Sequence, residues 1–183
     1  MTYTQGELSF ESGLLDSRLL LSENGGTILC GAIDELTPLM TDFHRAANKD
    51  DLNRIESEGY VFFLLASEPG RSNHGSIIDM IVEQNNAERF KELIRSSFTN
   101  KNINEKNTLV VCSNQEDLKF AGISPIYQTE MLHEKLGDIS MFTAAALYKG
   151  IEKIKQTDYT YLAIVKQNKG KYLRMLLIQK PDQ

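Results

Sequence analysis

The chain has 183 residues, 41% of them hydrophobic and 25% charged, with a net charge of −5; that is enough apolar material for the core of one domain. No Lys/Arg cluster marks a nucleic-acid face, and the longest apolar runs, such as Val61 to Ala66, are too short to cross a bilayer. The stretch from Met1 to Glu11 lacks the basic start and apolar run of a signal peptide, and Cys30 and Cys112 have neither disulfide-framework nor metal-ligand spacing. Composition therefore predicts a cytoplasmic protein with no metal and no cofactor.

In chain order, Thr4 and Glu7 have capping-box spacing, and Phe10, Leu14, Leu15, Leu19 and Leu21 recur with helical period up to the stop at Asn24-Gly25-Gly26. Thr27 to Ile33 reads as a buried strand, and Glu35 to Glu58 as a polar stretch with a short helix at Leu39 to Arg45. Tyr60 to Ala66 is a strand ended by the turn-forming run Glu68 to Asn73, and Gly75 to Val82 is another. Asn86 caps a helix with Ala87, Phe90, Leu93, Ile94 and Phe98 on one face. After the polar connector Asn100 to Asn107, Thr108 to Cys112 is a strand, followed by a helix or loop up to the break at Ile123 to Ile126. A helix from Ser140 to Ile154 presents Met141, Phe142, Ala145, Tyr148, Ile151 and Ile154; Ala144 to Ala146 keep it slim. The chain closes with a hairpin, Tyr159 to Val165 and Tyr172 to Ile178.

The order helix, strand, strand thus occurs at both ends of the chain, as a repeat of pattern without residue identity. Mixed α/β chains also produce such an order by coincidence.

Four segments resemble the β-ketoacyl synthase (thiolase-like) family. Leu29-Cys30-Gly31-Ala32-Ile33-Asp34 looks like its strand ending in Gly-Ala before an acid. Phe10 to Asp16 resembles the central helix that starts at the nucleophilic cysteine. Glu58 to Leu65 looks like its Gly-Glu-Gly-Ala strand, and Leu136-Gly137-Asp138-Ile139 with Phe142 to Ala146 resembles the Gly-His segment entering the second central helix. The resemblance covers nearly the whole chain and is closest to the divergent ketosynthase-like proteins of bacterial pigment (flexirubin, aryl polyene) clusters. It implies an α/β, partial thiolase-like fold, with central helices packed between mixed β-sheets. Residues 1–183 would form one incomplete domain, 1–70 ending the first half and 71–183 forming the second.

The family's chemistry needs a cysteine thiolate at a helix N-terminus and two histidines. The resemblance places the cysteine position at Gln5, the first histidine at Ser113 with Asn114 as the other candidate, and the second at Asp138. Glutamine cannot form an acyl thioester, Ser113 and Asn114 cannot carry a proton as imidazole does, and a carboxylate at Asp138 would repel an enolate or oxyanion. Gln5 also reads as a residue of a frayed terminus, and Asp138 as a helix cap near Ser140. Relocated chemistry at Cys112 would need a histidine beside it. Cys112 and Cys30 read as core fillers, His74 and His133 as solvent-facing, Asp34 and Glu35 as pointing to different sides, and Asp50-Asp51 as a loop.

The implied protein is a ketosynthase-like subunit without condensing activity in fatty-acid or polyketide-type synthesis. It would be homo- or hetero-oligomeric with a ketosynthase-like subunit and would contact acyl carrier protein. The alternatives are an active 3-oxoacyl-ACP synthase whose first half is missing or supplied in trans, and an unrelated α/β interaction domain. Loss of strands before Met1 would leave an edge and apolar surface for a partner to cover.

Overall fold

The computed structural model describes Thr2 and residues 8–35, 59–70, 73–132, 141–168 and 171–181. The chain divides into two compact units, residues 1–70 with 134–145, and residues 71–133 with 146–183. The expected helix at Leu39 to Arg45 lies outside the described residues, as do Thr4 and Glu7.

In the first unit, helix α1 (Ser9–Asn24) begins behind Leu8, whose side chain makes no capping bond. It ends where Gly25 takes φ 65° and donates its N–H to the Leu21 carbonyl at 2.9 Å, a left-handed step that glycine makes without Cβ strain. Strands β1 (Thr27–Asp34) and β2 (Gly59–Ala66) follow as an antiparallel hairpin, in register from Thr27 opposite Ala66 to Asp34 opposite Gly59. Its inner face packs on α1, with Cys30 buried and the Phe10 and Phe63 rings 5.9 Å apart. The sequence pattern predicts β1 as a buried strand; instead Leu29 and Ile33 are exposed. A two-stranded sheet with a helix on one face leaves every second residue on the other. Phe62 lies directly across Gly31, where an added Cβ would stand 2.3 Å from its Cδ1; only glycine admits that ring.

The second unit is built on five strands: β3 (Ser76–Gln84), β4 (Thr108–Cys112), β5 (Gln128–Met131), β6 (Tyr161–Asn168) and β7 (Tyr172–Gln179). Their order is β3-β7-β6-β4-β5. β4 is parallel to β5 and β6, while β7 is antiparallel to β6 and β3. The sequence pattern does not reveal β5: Gln128-Thr129-Glu130-Met131 has no apolar run, and its strand form comes from pairing with β4. Helix α2 (Ala87–Asn100) starts at Asn86, whose side chain accepts the Arg89 N–H at 3.0 Å as its position predicts. Helix α3 (Gln115–Ala121) ends at Gly122, φ 65°.

Phe90, Ile94 and Phe98 of α2 and Leu118 and Ala121 of α3 join Val110, Cys112, Ala163, Val165, Met175 and Leu177 in one buried cluster. Intervening strand residues such as Leu109, Val111, Leu162 and Ile164 are equally buried on the other face. There Gly150 of α4 (Phe142–Lys155) sits so close to β6 that an added Cβ would stand 2.6 Å from a Leu162 methyl. Residues 142–145 of α4 belong to the first unit, where Thr143 donates its hydroxyl to buried Glu11 at 2.5 Å. The expected buried face of α4 needs correction: Met141 through Leu147 are all buried, whereas Tyr148 is exposed.

The repeated order is present as α1-β1-β2 and α4-β6-β7, each helix followed by an antiparallel hairpin. Among the described residues no helix is long and apolar enough to cross a membrane.

Candidate functional site

Because β5, β4 and β6 run parallel, Met131 and Cys112 bring the carboxyl ends of β5 and β4 together beside Val165 of β6, at the edge where α/β sheets hold their ligands. The Leu132 N–H donates to the Cys112 carbonyl at 2.9 Å, fastening β5 to β4 there. The chain then turns sharply through Ser113 and Asn114 into α3. Asn114 Oδ1 accepts the N–H groups of Glu116 at 2.9 Å and Asp117 at 3.2 Å. Asp117 reaches back and completes a capping box.

Asp117 organises this corner. Its Oδ2 accepts the Ser113 N–H at 2.7 Å and the Asn114 N–H at 3.2 Å, and its Oδ1 accepts the Gln167 N–H at 3.0 Å. One buried carboxylate thereby ties the end of β4, the start of α3 and the far part of β6. Burial pushes its carboxyl above the usual carboxylate range, against the pull of the Gln167 amide, the Lys166 charge and the Ser113 and Asn114 amides. The neighbouring Cys112 thiol is pushed up to about 12, first by burial and then by the Asp117 charge, with Lys166 opposing. A thiol so placed holds its proton at neutral pH and is a poor nucleophile.

Of the three positions singled out in the sequence, Ser113 stands at this corner, buried; Gln5 and Asp138 lie outside the described residues. The rival candidate Asn114 has its side-chain oxygen committed to the cap of α3. His74 is exposed ahead of β3, while His44 and His133 lie outside the described residues. Cys30 is buried against α1, its thiol raised by burial and partly lowered by a bond from Ser17. Sequence reasoning missed Asp117, although the Asn114-x-x-Asp117 spacing is a capping signal that could have marked it. A shallow cleft on the opposite face of the sheet is lined by Leu109, Val111, Leu132 and Lys149, and Lys153 pairs with Glu130 at 2.6 Å across it. Among the described residues no group of three His, Cys, Asp or Glu side chains could hold a metal ion. The corner is thus a turn held together by the Asp117 carboxylate and the Asn114 side-chain oxygen.

No family model matches the sequence, and no curated protein matches it either. Solved structures do. A chain of AntDE:AntF, a type II PKS acyl-carrier protein in complex with its ketosynthase, superposes with a TM-score of 0.79 at 13% identity, over 99% of this chain and 59% of that one. A β-ketoacyl synthase from Burkholderia phymatum STM815 gives 0.73 at 10% identity, over 97% and 60%. The ishigamide ketosynthase/chain length factor gives 0.71 at 12%, over 97% and 56%. The fold is therefore the mixed α/β fold of the thiolase-like ketosynthases and chain length factors, and the chain spans 59% and 60% of the length of the first two structures.

Proposed function

We propose that this chain is a ketosynthase-like subunit without condensing activity, chain-length-factor-like, serving fatty-acid or polyketide-type acyl-chain synthesis. The observation that carries the reading is the corner after β4. Ser113 stands where the resemblance puts a histidine, and the amides of Ser113 and Asn114 are held by Asp117. The adjacent thiol is buried and protonated. Glutamine at position 5 and aspartate at position 138 agree with it in the sequence. The chain would work in the cytoplasm beside a ketosynthase-like subunit, in a pathway of the pigment-cluster type, and would meet acyl carrier protein there.

The test is direct. The purified chain, given malonyl- and acyl-carrier protein, should release no carbon dioxide and form no β-ketoacyl product above background. Turnover by the chain alone overturns the reading. A second reading, an active synthase completed in trans, draws on the 59–60% of the matched chains that this one spans. Turnover that appears only when a second polypeptide is co-expressed would favour it.

A further inference from the structure

Among twelve asparagines the chain has a single Asn-Gly pair, Asn24-Gly25, with a second glycine after it. The pair forms the junction between α1 and β1. Asparagine before glycine is the pair in which a backbone nitrogen most readily attacks a side-chain amide, because no Cβ on the second residue crowds the attacking atom. We propose that Asn24-Gly25 is a site of self-modification, where an amide becomes a carboxylate when the last turn of α1 opens. The Gly25 nitrogen bonds to Asn24 Cγ, the Cγ–Nδ2 bond breaks, and ammonia leaves with the Gly25 amide proton. Water then opens the cyclic imide. Addition at Cγ restores the normal backbone with aspartate, whereas addition at the Asn24 carbonyl carbon routes the backbone through the side chain as isoaspartate. Water enters, ammonia leaves, and nothing is oxidised or reduced.

The folded turn holds this reaction back. Gly25 commits its N–H to the Leu21 carbonyl at 2.9 Å, and Asn24 Nδ2 donates back along the helix to the Leu20 carbonyl at 3.2 Å. Attacking nitrogen and leaving amide are thus both tied to carbonyls of the last turn, the part of a helix that opens most readily. On the far side Gly26 is anchored separately: its N–H donates to Ser67 Oγ at 3.1 Å and its carbonyl accepts the Ser67 N–H at 3.2 Å. The product cannot rebuild the turn. A carboxylate at position 24 has no proton to give Leu20, stands next to Glu23, and faces the negative end of a helix whose last turn holds no basic residue. The isoaspartyl form also adds a methylene to the backbone between the Leu21 and Ser67 anchors. Modification therefore keeps open the helix end whose opening allowed it. The chemistry is independent of the acyl-chain reading above.

Incubation at mildly alkaline pH tests it, comparing folded and urea-unfolded chain by isoelectric focusing and by mass mapping of the peptide that carries residue 24. Wild type should gain a negative charge at residue 24. The folded chain should convert on the order of tenfold more slowly than the unfolded one, a factor set by the two terminal hydrogen bonds. Asn24→Gln, whose ring closure needs a larger ring, should lose that acidic species in both states. Asn24→Asp, which carries the charge of the product, should melt about 2–4 °C below wild type. Residue 24 still intact in the folded chain after about a hundred half-lives of the unfolded one overturns the proposal. So do equal rates in the two states, an acidic species that persists in Asn24→Gln, or an Asn24→Asp chain as stable as wild type.

Discussion

Replacing Asp117 by alanine removes the acceptor of three backbone N–H groups at once, those of Ser113, Asn114 and Gln167. A net bond to a charged acceptor contributes about 1.5–3 kcal/mol, which for three would exceed 4 kcal/mol. Two corrections reduce it. The wild-type carboxylate bears a burial cost that alanine does not, as its raised pKa shows. Two of the three bonds are only part-buried, so water can replace them. The expected loss is roughly 2–4 kcal/mol, a large share of the 5–15 kcal/mol typical of a domain. Urea unfolding at neutral pH measures it, and amide exchange locates it, with Ser113 and Gln167 losing protection in Asp117→Ala. The pH dependence has a definite sign. The native state holds the Asp117 proton more tightly than the unfolded chain, so the stability from this group is full below the ordinary carboxylate range and is lost as pH rises through the folded value. Asp117→Asn cannot titrate, so the stability of wild type relative to Asp117→Asn should fall as pH rises through and above the ordinary carboxylate range. A loss under about 1 kcal/mol for Asp117→Ala, or a difference that rises with pH, would refute the account of this corner.

Neither thiol should react with a disulfide reagent in the native protein near neutral pH, because Cys112 is fully buried with its pKa near 12 and Cys30 is buried with its pKa raised. Both should react once the chain is unfolded, and rapid native labelling of Cys112 would contradict the packing. Gly150→Ala should destabilise by about 1–2 kcal/mol in thermal or urea melts despite the better helix propensity of alanine, because the new methyl meets Leu162, itself fully buried. A gain in stability would mean that α4 can draw back from β6. Thr143→Val should cost about 1–3 kcal/mol in the same melts, since the valine cannot donate to buried Glu11; a neutral result would show that bond to be dispensable.

Local pattern made most elements legible. Helical spacing of Phe10 and Leu14, the Asn86 cap, the β-forming run Thr108 to Cys112 and the final hairpin all appear where the residues predict them. These depend on neighbours one to four positions away. Strand β5 does not, because its polar residues become a strand only through pairing with Leu109 to Cys112. Tyr148 shows the same limit on α4: its period places it with Ala145 and Ile151, yet it is exposed while Leu147 is buried.

The site divides in the same way. From its own residues the chain declares that glutamine, serine and aspartate occupy the positions 5, 113 and 138 that the resemblance singles out. That Ser113 is buried, that its amide is claimed by Asp117, and that the same carboxylate holds Gln167 fifty positions away are decisions of tertiary structure. So is the bare face of the first hairpin. The run Thr27 to Ile33 is apolar enough for a strand covered on both sides, and only the single helix packed against it leaves Leu29 and Ile33 in solvent. Periodicity shows which residues share a face; whether another layer lies over that face depends on elements distant in sequence.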